Sequence, residues 1–76
     1  MEETTTESPG SLLTNREVQV LQCFADGMTM SEVASALAIS AKTVKNHLAS
    51  AYASLDVGDR TQAVVRAIRL GLVTLD

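Results

Sequence analysis

Within 76 residues, the pattern Thr14-x-x-Glu17 recurs as Thr29-x-x-Glu32 and again, with an amide, as Asp59-x-x-Gln62. Each is a helix start. The short oxygen-bearing side chain takes a free N–H of the first turn, and the residue three places on reaches back. Ser40 supplies a fourth cap in front of Ala41. Gly27 and Gly71 are suited to the left-handed conformation that ends a helix. The punctuation therefore predicts four short helices: the first to about Asp26, the second closing near Leu37, the third over 41–55 and the fourth over 60–70. No stretch calls for a strand, so the fold class expected is all-α.

The opening MEETTTESPG is polar, Thr-rich and ends in Pro-Gly, which reads as a disordered tail or the remnant of a linker over residues 1–10. Residues 11–76 then form one small domain. With 46% hydrophobic residues but one Phe, one Tyr and no Trp, its core must be aliphatic. The formal net charge of -3 argues against a generally basic nucleic-acid binder. However, Glu2, Glu3 and Glu7 all lie in the tail, and without them six acids balance six bases. Cys23 is the only cysteine and cannot form an internal disulfide, which fits a reduced compartment and a cytoplasmic protein. No apolar run reaches the length needed to span a bilayer, so no membrane partner is expected. One His, one Cys and no glycine-rich phosphate loop argue against an enzyme, a metal site or a cofactor.

Only Ala38-Ile39-Ser40 separates the second and third helices, and small or apolar residues (Ala34, Leu37, Ile39, Val44, Leu48) stand where the two would meet. That is the pattern of a helix-turn-helix, here over about 30–49. On a helical wheel Val44, Leu48, Ala51 and Leu55 occupy one narrow sector that faces the core. Lys42, Asn46, Ala49 and Ala53 lie opposite, with Lys45 and His47 on the flanks. No acid occurs between Glu32 and Asp56. A solvated helix usually mixes both signs of charge. A helix entering a DNA major groove wants this face instead: small side chains for close approach, cations for phosphate, and an amide able to pair with adenine.

The spaced residues Leu13-Thr14-x-Arg16-Glu17, Leu21, Ala25, Gly27, Glu32-Val33-Ala34, Leu37, Ile39-Ser40-x-x-Thr43-Val44-Lys45-Asn46-His47, Tyr52, Leu55, Val57 and Arg60-Thr61-Gln62-Ala63 resemble the LuxR-type (GerE-like) DNA-binding domain. The resemblance runs from residue 13 to about 73. It implies a four-helix domain of a bacterial transcription regulator, often an output domain behind a response-regulator receiver. Its third helix would read double-stranded DNA and its fourth would pair two copies. By position, Thr43, Lys45 and His47 match phosphate and groove contacts, and Asn46 the variable place that touches bases. Arg16 and Glu17 match a structural, capping pair. Lys42, Ala49 and Ser50 complete the candidate surface, and Arg60 adds a cation from helix 4. The chain departs from the family at Met30 and Ser31, where Asn-Lys is common, and at Ser54, where a basic residue is usual. Two phosphate-contacting cations per copy are thereby missing.

In helix 4 the apolar residues from Ala63 to Leu70 spread over more of the wheel than one small core needs. Val64, Val65 and Ile68 are the candidates for a weak homodimer interface, with Leu70, Leu72 and Val73 folding over the excess as the opposing possibility. RNA polymerase is a further candidate partner. Two other readings stay open: a helix-turn-helix retained as a protein-interaction or dimerisation module without DNA binding, and a sigma-factor-like promoter-contacting domain, which would need a more basic third helix.

Overall fold

The computed structural model describes residues 13–75; the proposed tail over residues 1–10 lies outside them. Among the described residues there are four helices and no strand: α1 (Asn15–Ala25), α2 (Met30–Leu37), α3 (Ala41–Leu55) and α4 (Arg60–Arg69). The expected all-α, four-helix fold is the one observed, with boundaries within a residue of those read from the punctuation.

All four predicted N-caps act as caps. The Thr14 hydroxyl accepts the Glu17 N–H while the Glu17 carboxylate accepts the Thr14 N–H, each at 3.1 Å. Thr29 and Glu32 make the same reciprocal pair at 3.2 and 2.8 Å. Asp59 takes the Gln62 N–H at 2.8 Å, and Ser40 the Thr43 N–H at 3.0 Å. The two boxes differ in burial. Glu17 is the one buried polar residue among those described, whereas Glu32 is exposed.

The helix ends share one geometry. In each, a residue donates its N–H three places back, and the next donates five places back: Gly27 to Phe24 and Met28 to Cys23, Ala38 to Ser35 and Ile39 to Ala34, Asp56 to Ala53 and Val57 to Tyr52, Gly71 to Ile68 and Leu72 to Ala67. This is the Schellman motif, whose first residue is left-handed. Gly27 and Gly71 take that conformation at no steric cost, with φ of 94° and 77°. Ala38 and Asp56 take it with side chains, both at φ 58°. The residue after each, Met28, Ile39, Val57 or Leu72, is half-buried against the core. Met28 and Ile39 also stand just before the next cap, the position of a hydrophobic staple. One apolar residue thus closes one helix and seats the following one, which is why the connections are so short.

α3 is the centre of the packing and touches α1, α2 and α4, while α2 reaches only α1 and α3. Val44, Leu48, Ala51 and Leu55 are its buried residues, the same four the wheel assigns to the core. They meet Leu13, Val20, Leu21, Val33, Ala63 and Ala67. Beyond α4 the chain turns at Gly71 and folds back, so Val73 is buried and Leu72 half-buried, whereas Leu70 is exposed. The excess of helix 4 is therefore covered only in part. Gln22 of α1 holds the returning segment. Its amide NH2 donates to the Thr74 carbonyl at 2.8 Å, and its carbonyl accepts the Thr74 N–H at 3.1 Å.

The two left-handed residues with side chains make a testable contrast. That conformation costs an L-residue about 1–2 kcal/mol, less for Asp, whose side chain bonds locally. Glycine relieves it, offset in part by unfolded-state entropy. Ala38→Gly is expected to stabilise the domain by about 1 kcal/mol, raising Tm by roughly 4–8 °C for a domain of this size. Asp56→Gly should gain less. Thermal denaturation followed by circular dichroism measures both, and a lower Tm for Ala38→Gly contradicts the account.

Candidate nucleic-acid interface

The first turns of α3 and α4 lack an acid, unlike those of α1 and α2, but α4 is capped by the Asp59 carboxylate and α3 only by the Ser40 hydroxyl. Three residues past the cap, α1 and α2 carry Glu17 and Glu32 and α4 carries Gln62; α3 carries Thr43. Acids near a helix N-terminus are favoured by the macrodipole, and cations are not. Yet α3 has no acid in its first turn, and Lys42 stands there, with Lys45 one turn on. Its N-terminus is therefore more electropositive than local helix stability would select. Thr43 fills the place of the acid with a hydroxyl, which lies 2.9 Å from the Ser40 hydroxyl.

The burial pattern separates the two faces. Lys42, Asn46, Ala49, Ser50 and Ala53 are exposed on the side away from the buried stripe, and Lys45 is exposed on its flank. Thr43 and His47 are half-buried at its edges. Seven of the eight candidate residues from the sequence thus gather on α3, and those with full exposure form one surface. Ala49 and Ser50 keep it low, so that a groove edge can approach the helix closely. Met30 and Ser31, where the family pattern carries Asn-Lys, lie at the start of α2. They bring no charge to the neighbouring helix.

Arg60, the eighth, sits apart at the start of α4. It is exposed, but its guanidinium lies over the Phe24 ring of α1, 4.5 Å from the centroid. Stacking leaves the in-plane N–H donors of a guanidinium available. Burial pushes the Tyr52 phenol pKa up; Arg60 opposes that rise and Asp59 adds to it. Sequence reasoning did not single out Phe24, although it is the one phenylalanine in the chain. Cys23 beside it is half-buried, and burial, then Asp26, push its thiol pKa up. It is poised to pack and not to react.

Val64 and Ile68 are half-buried and Val65 is 45% exposed, so the three residues assigned to pairing lie at the boundary between core and surface. Among the described residues no helix is long and apolar enough to cross a membrane.

Residues 11–67 match the family of bacterial regulatory proteins described as the luxR family. The chain is 48% identical over 65 residues to the transcriptional regulatory protein DegU of Brevibacillus brevis, covering 86% of this chain but 28% of that protein. It is 45% identical over 64 residues to the spore germination protein GerE of Bacillus subtilis (strain 168), covering 84% of this chain and 86% of that one. Among solved structures, the transcription factor GerE superposes with a TM-score of 0.82 at 38% identity, covering 87% of this chain and 98% of that one. The response regulator ChrA of a heme-sensing two-component system superposes at 0.77 with 35% identity, covering 91% of this chain and 34% of that one. Relatives such as DegU are thus much longer than this chain, while GerE is of similar length. The helix-turn-helix of α2 and α3, the four-helix architecture and the match over residues 11–67 together establish that the chain belongs to the luxR family of bacterial regulatory proteins.

Proposed function

We propose that the chain binds double-stranded DNA in a sequence-dependent way and regulates transcription in the bacterial cytoplasm, with α3 lying in the major groove. The observation that carries this reading is the two-faced α3: a narrow apolar stripe buried on one side, and an acid-free surface of Lys42, Lys45, Asn46, Ala49 and Ser50 on the other. The relative named as a transcriptional regulatory protein, DegU, and the solved structure named as a transcription factor, GerE, support the same class.

The roles follow from position. Lys42 and Lys45, with the Thr43 hydroxyl, hold backbone phosphate near the N-terminus of α3, where the helix dipole adds to their attraction. Asn46 faces base edges, where its amide pairs with adenine N6 and N7. Ala49 and Ser50 allow the groove floor to approach. His47, half-buried at the edge, supports the backbone side. Arg60 reaches phosphate from the start of α4, its side chain steadied by the Phe24 ring. With so few cations, each copy releases few counterions, so binding is weak and its salt dependence shallow. Two copies pair through α4 at Val64, Val65 and Ile68, and two half-sites on one duplex supply the effective concentration. RNA polymerase is the partner through which a bound activator would act.

Two substitutions separate the α3 roles. Lys45→Ala is expected to weaken binding to every duplex and to reduce the salt dependence by about one unit of slope. Asn46→Ala is expected to cost about 1–3 kcal/mol on the preferred site and to relax one base position. Titrations at several salt concentrations on preferred and scrambled duplexes measure both. Equal losses on the two duplexes for Asn46→Ala would sink the base-reading role.

Pairing has its own test. Val65→Glu places a charge where an interface would desolvate it, but leaves an exposed position of a monomer nearly untouched. Binding to a half-site should persist, while cooperative binding to two half-sites should be lost. Retention of that cooperativity by a normally folded variant removes Val65 from the interface.

A further inference from the structure

Among the described residues, two cations at the end of α4 have no counter-charge. Arg66 and Arg69 are both exposed in its last turn, where the helix dipole favours cations. No acid stands three or four places from either, so neither has an ion pair along the helix. Acids elsewhere in the domain are mostly committed. Glu17, Glu32 and Asp59 are held in helix caps, and Asp26 accepts from the Gln22 amide at 3.0 Å. Asp56 remains, and among the described residues neither arginine forms an ion pair with it or with any other acid.

The two arginines line one open groove. It holds about 270 Å³, and Val57, Thr61, Gln62 and Val65 complete its wall with no acid among them. Such a site fits carboxylates. A guanidinium presents paired in-plane donors that match a carboxylate bidentately, whereas the ammonium groups of Lys42 and Lys45 on α3 act as point charges. The groove between α4 and the end of α1 is less suited, because its single cation, Arg60, is already stacked on Phe24.

Acids without a counter-charge lie in the same chain. The opening MEETTTESPG contains Glu2, Glu3 and Glu7 and no basic side chain. From Glu2 to Leu13 the backbone can span roughly 36 Å, at about 3.3 Å per residue. The domain measures 30 × 29 × 24 Å, and α1, where the segment joins the fold, packs against α4. The groove is therefore within reach. Tethering supplies an effective concentration in the millimolar range, so contacts too weak to hold a free peptide can hold this segment.

We infer that the groove at the end of α4 is a docking surface for the chain's own acidic opening segment, with carboxylates of Glu2, Glu3 and Glu7 seated on Arg66 and Arg69. Docked there, the segment neutralises the cations of α4 and leaves Lys42 and Lys45 open for the proposed DNA contact. The docking itself needs neither DNA nor a second copy.

NMR spectra of the 76-residue chain at low salt, compared with those of the triple variant Glu2→Gln, Glu3→Gln and Glu7→Gln, test it. The expected result is shifts at Val57, Gln62, Arg66 and Arg69, including the arginine side-chain N–H signals, with Lys42 and Lys45 silent. These differences should vanish at about 1 M salt, where the screening length falls to roughly 3 Å. They should also be the same at every protein concentration. The reciprocal variant, Arg66→Gln with Arg69→Gln at two exposed positions, should move the Glu2, Glu3 and Glu7 amides in the same salt-dependent way. Differences centred on Lys42 and Lys45 overturn the inference and place the segment on the candidate DNA surface. Differences that grow with protein concentration overturn it in favour of a contact between copies. Spectra of α4 indifferent to the three glutamates overturn it outright, and shifts of Arg66 and Arg69 only on addition of a DNA duplex assign the groove to phosphate instead.

Discussion

The domain depends on one narrow stripe. Val44, Leu48, Ala51 and Leu55 are the only buried residues of α3, and through them α3 meets all three other helices. α1 also meets all three other helices, so the core lies chiefly between α1 and α3, and α3 is the longer of the two. A central helix would normally be apolar all round and useless for recognition. Here the stripe is confined to one sector, so the opposite side of the same helix remains exposed. Stability and the proposed DNA contact draw on two faces of a single rigid element. Substitution on the outward face is therefore cheap for the fold, and DNA preference could change there without rebuilding the core.

Helix ends hold that arrangement in place. Each helix begins on a Ser, Thr or Asp cap and ends in a left-handed turn followed by an apolar residue. Because Met28 and Ile39 belong to two helix termini at once, the angles between neighbouring helices are set within very short connections. The tightest, at Ala38, joins α2 to α3 and bears left-handed strain that glycine would relieve. The strain lies in the turn that orients the proposed recognition helix. Its persistence fits a site that trades some stability for a fixed geometry.

Much of this was legible in the residues. The caps at Thr14, Thr29, Ser40 and Asp59, the stops at Gly27 and Gly71, and the buried stripe of α3 all follow from short-range chemistry, and all are observed. Local signals act within three or four positions, so they can be read one at a time. Ala38 and Asp56 were less visible as left-handed residues, because neither side chain advertises that conformation as glycine does. The Gln22 hold on Thr74 spans 52 positions and has no local pattern. Stacking of Arg60 on Phe24 likewise depends on how α1 and α4 cross. On α4, Ala63 and Ala67 reach the core while Val65 stays exposed, a split that periodicity outlines but only packing decides. The outward surface of α3 was readable because its residues recur on one side of a single helix.

Low charge shapes how that proposal should be tested. The family pattern places cations where this chain has Ser31 and Ser54, and fewer phosphate contacts leave less sequence-independent affinity. Under the proposed function, discrimination between sites would rest more heavily on base contacts from α3 and on pairing of two copies. Selection of bound duplexes from a random pool, by the 76-residue chain at low salt, reads both at once. The account predicts enrichment of an inverted repeat whose half-site centres lie about one helical turn, or a multiple of it, apart. Recovery of a pool with no enriched sequence would contradict the claim that α3 reads DNA.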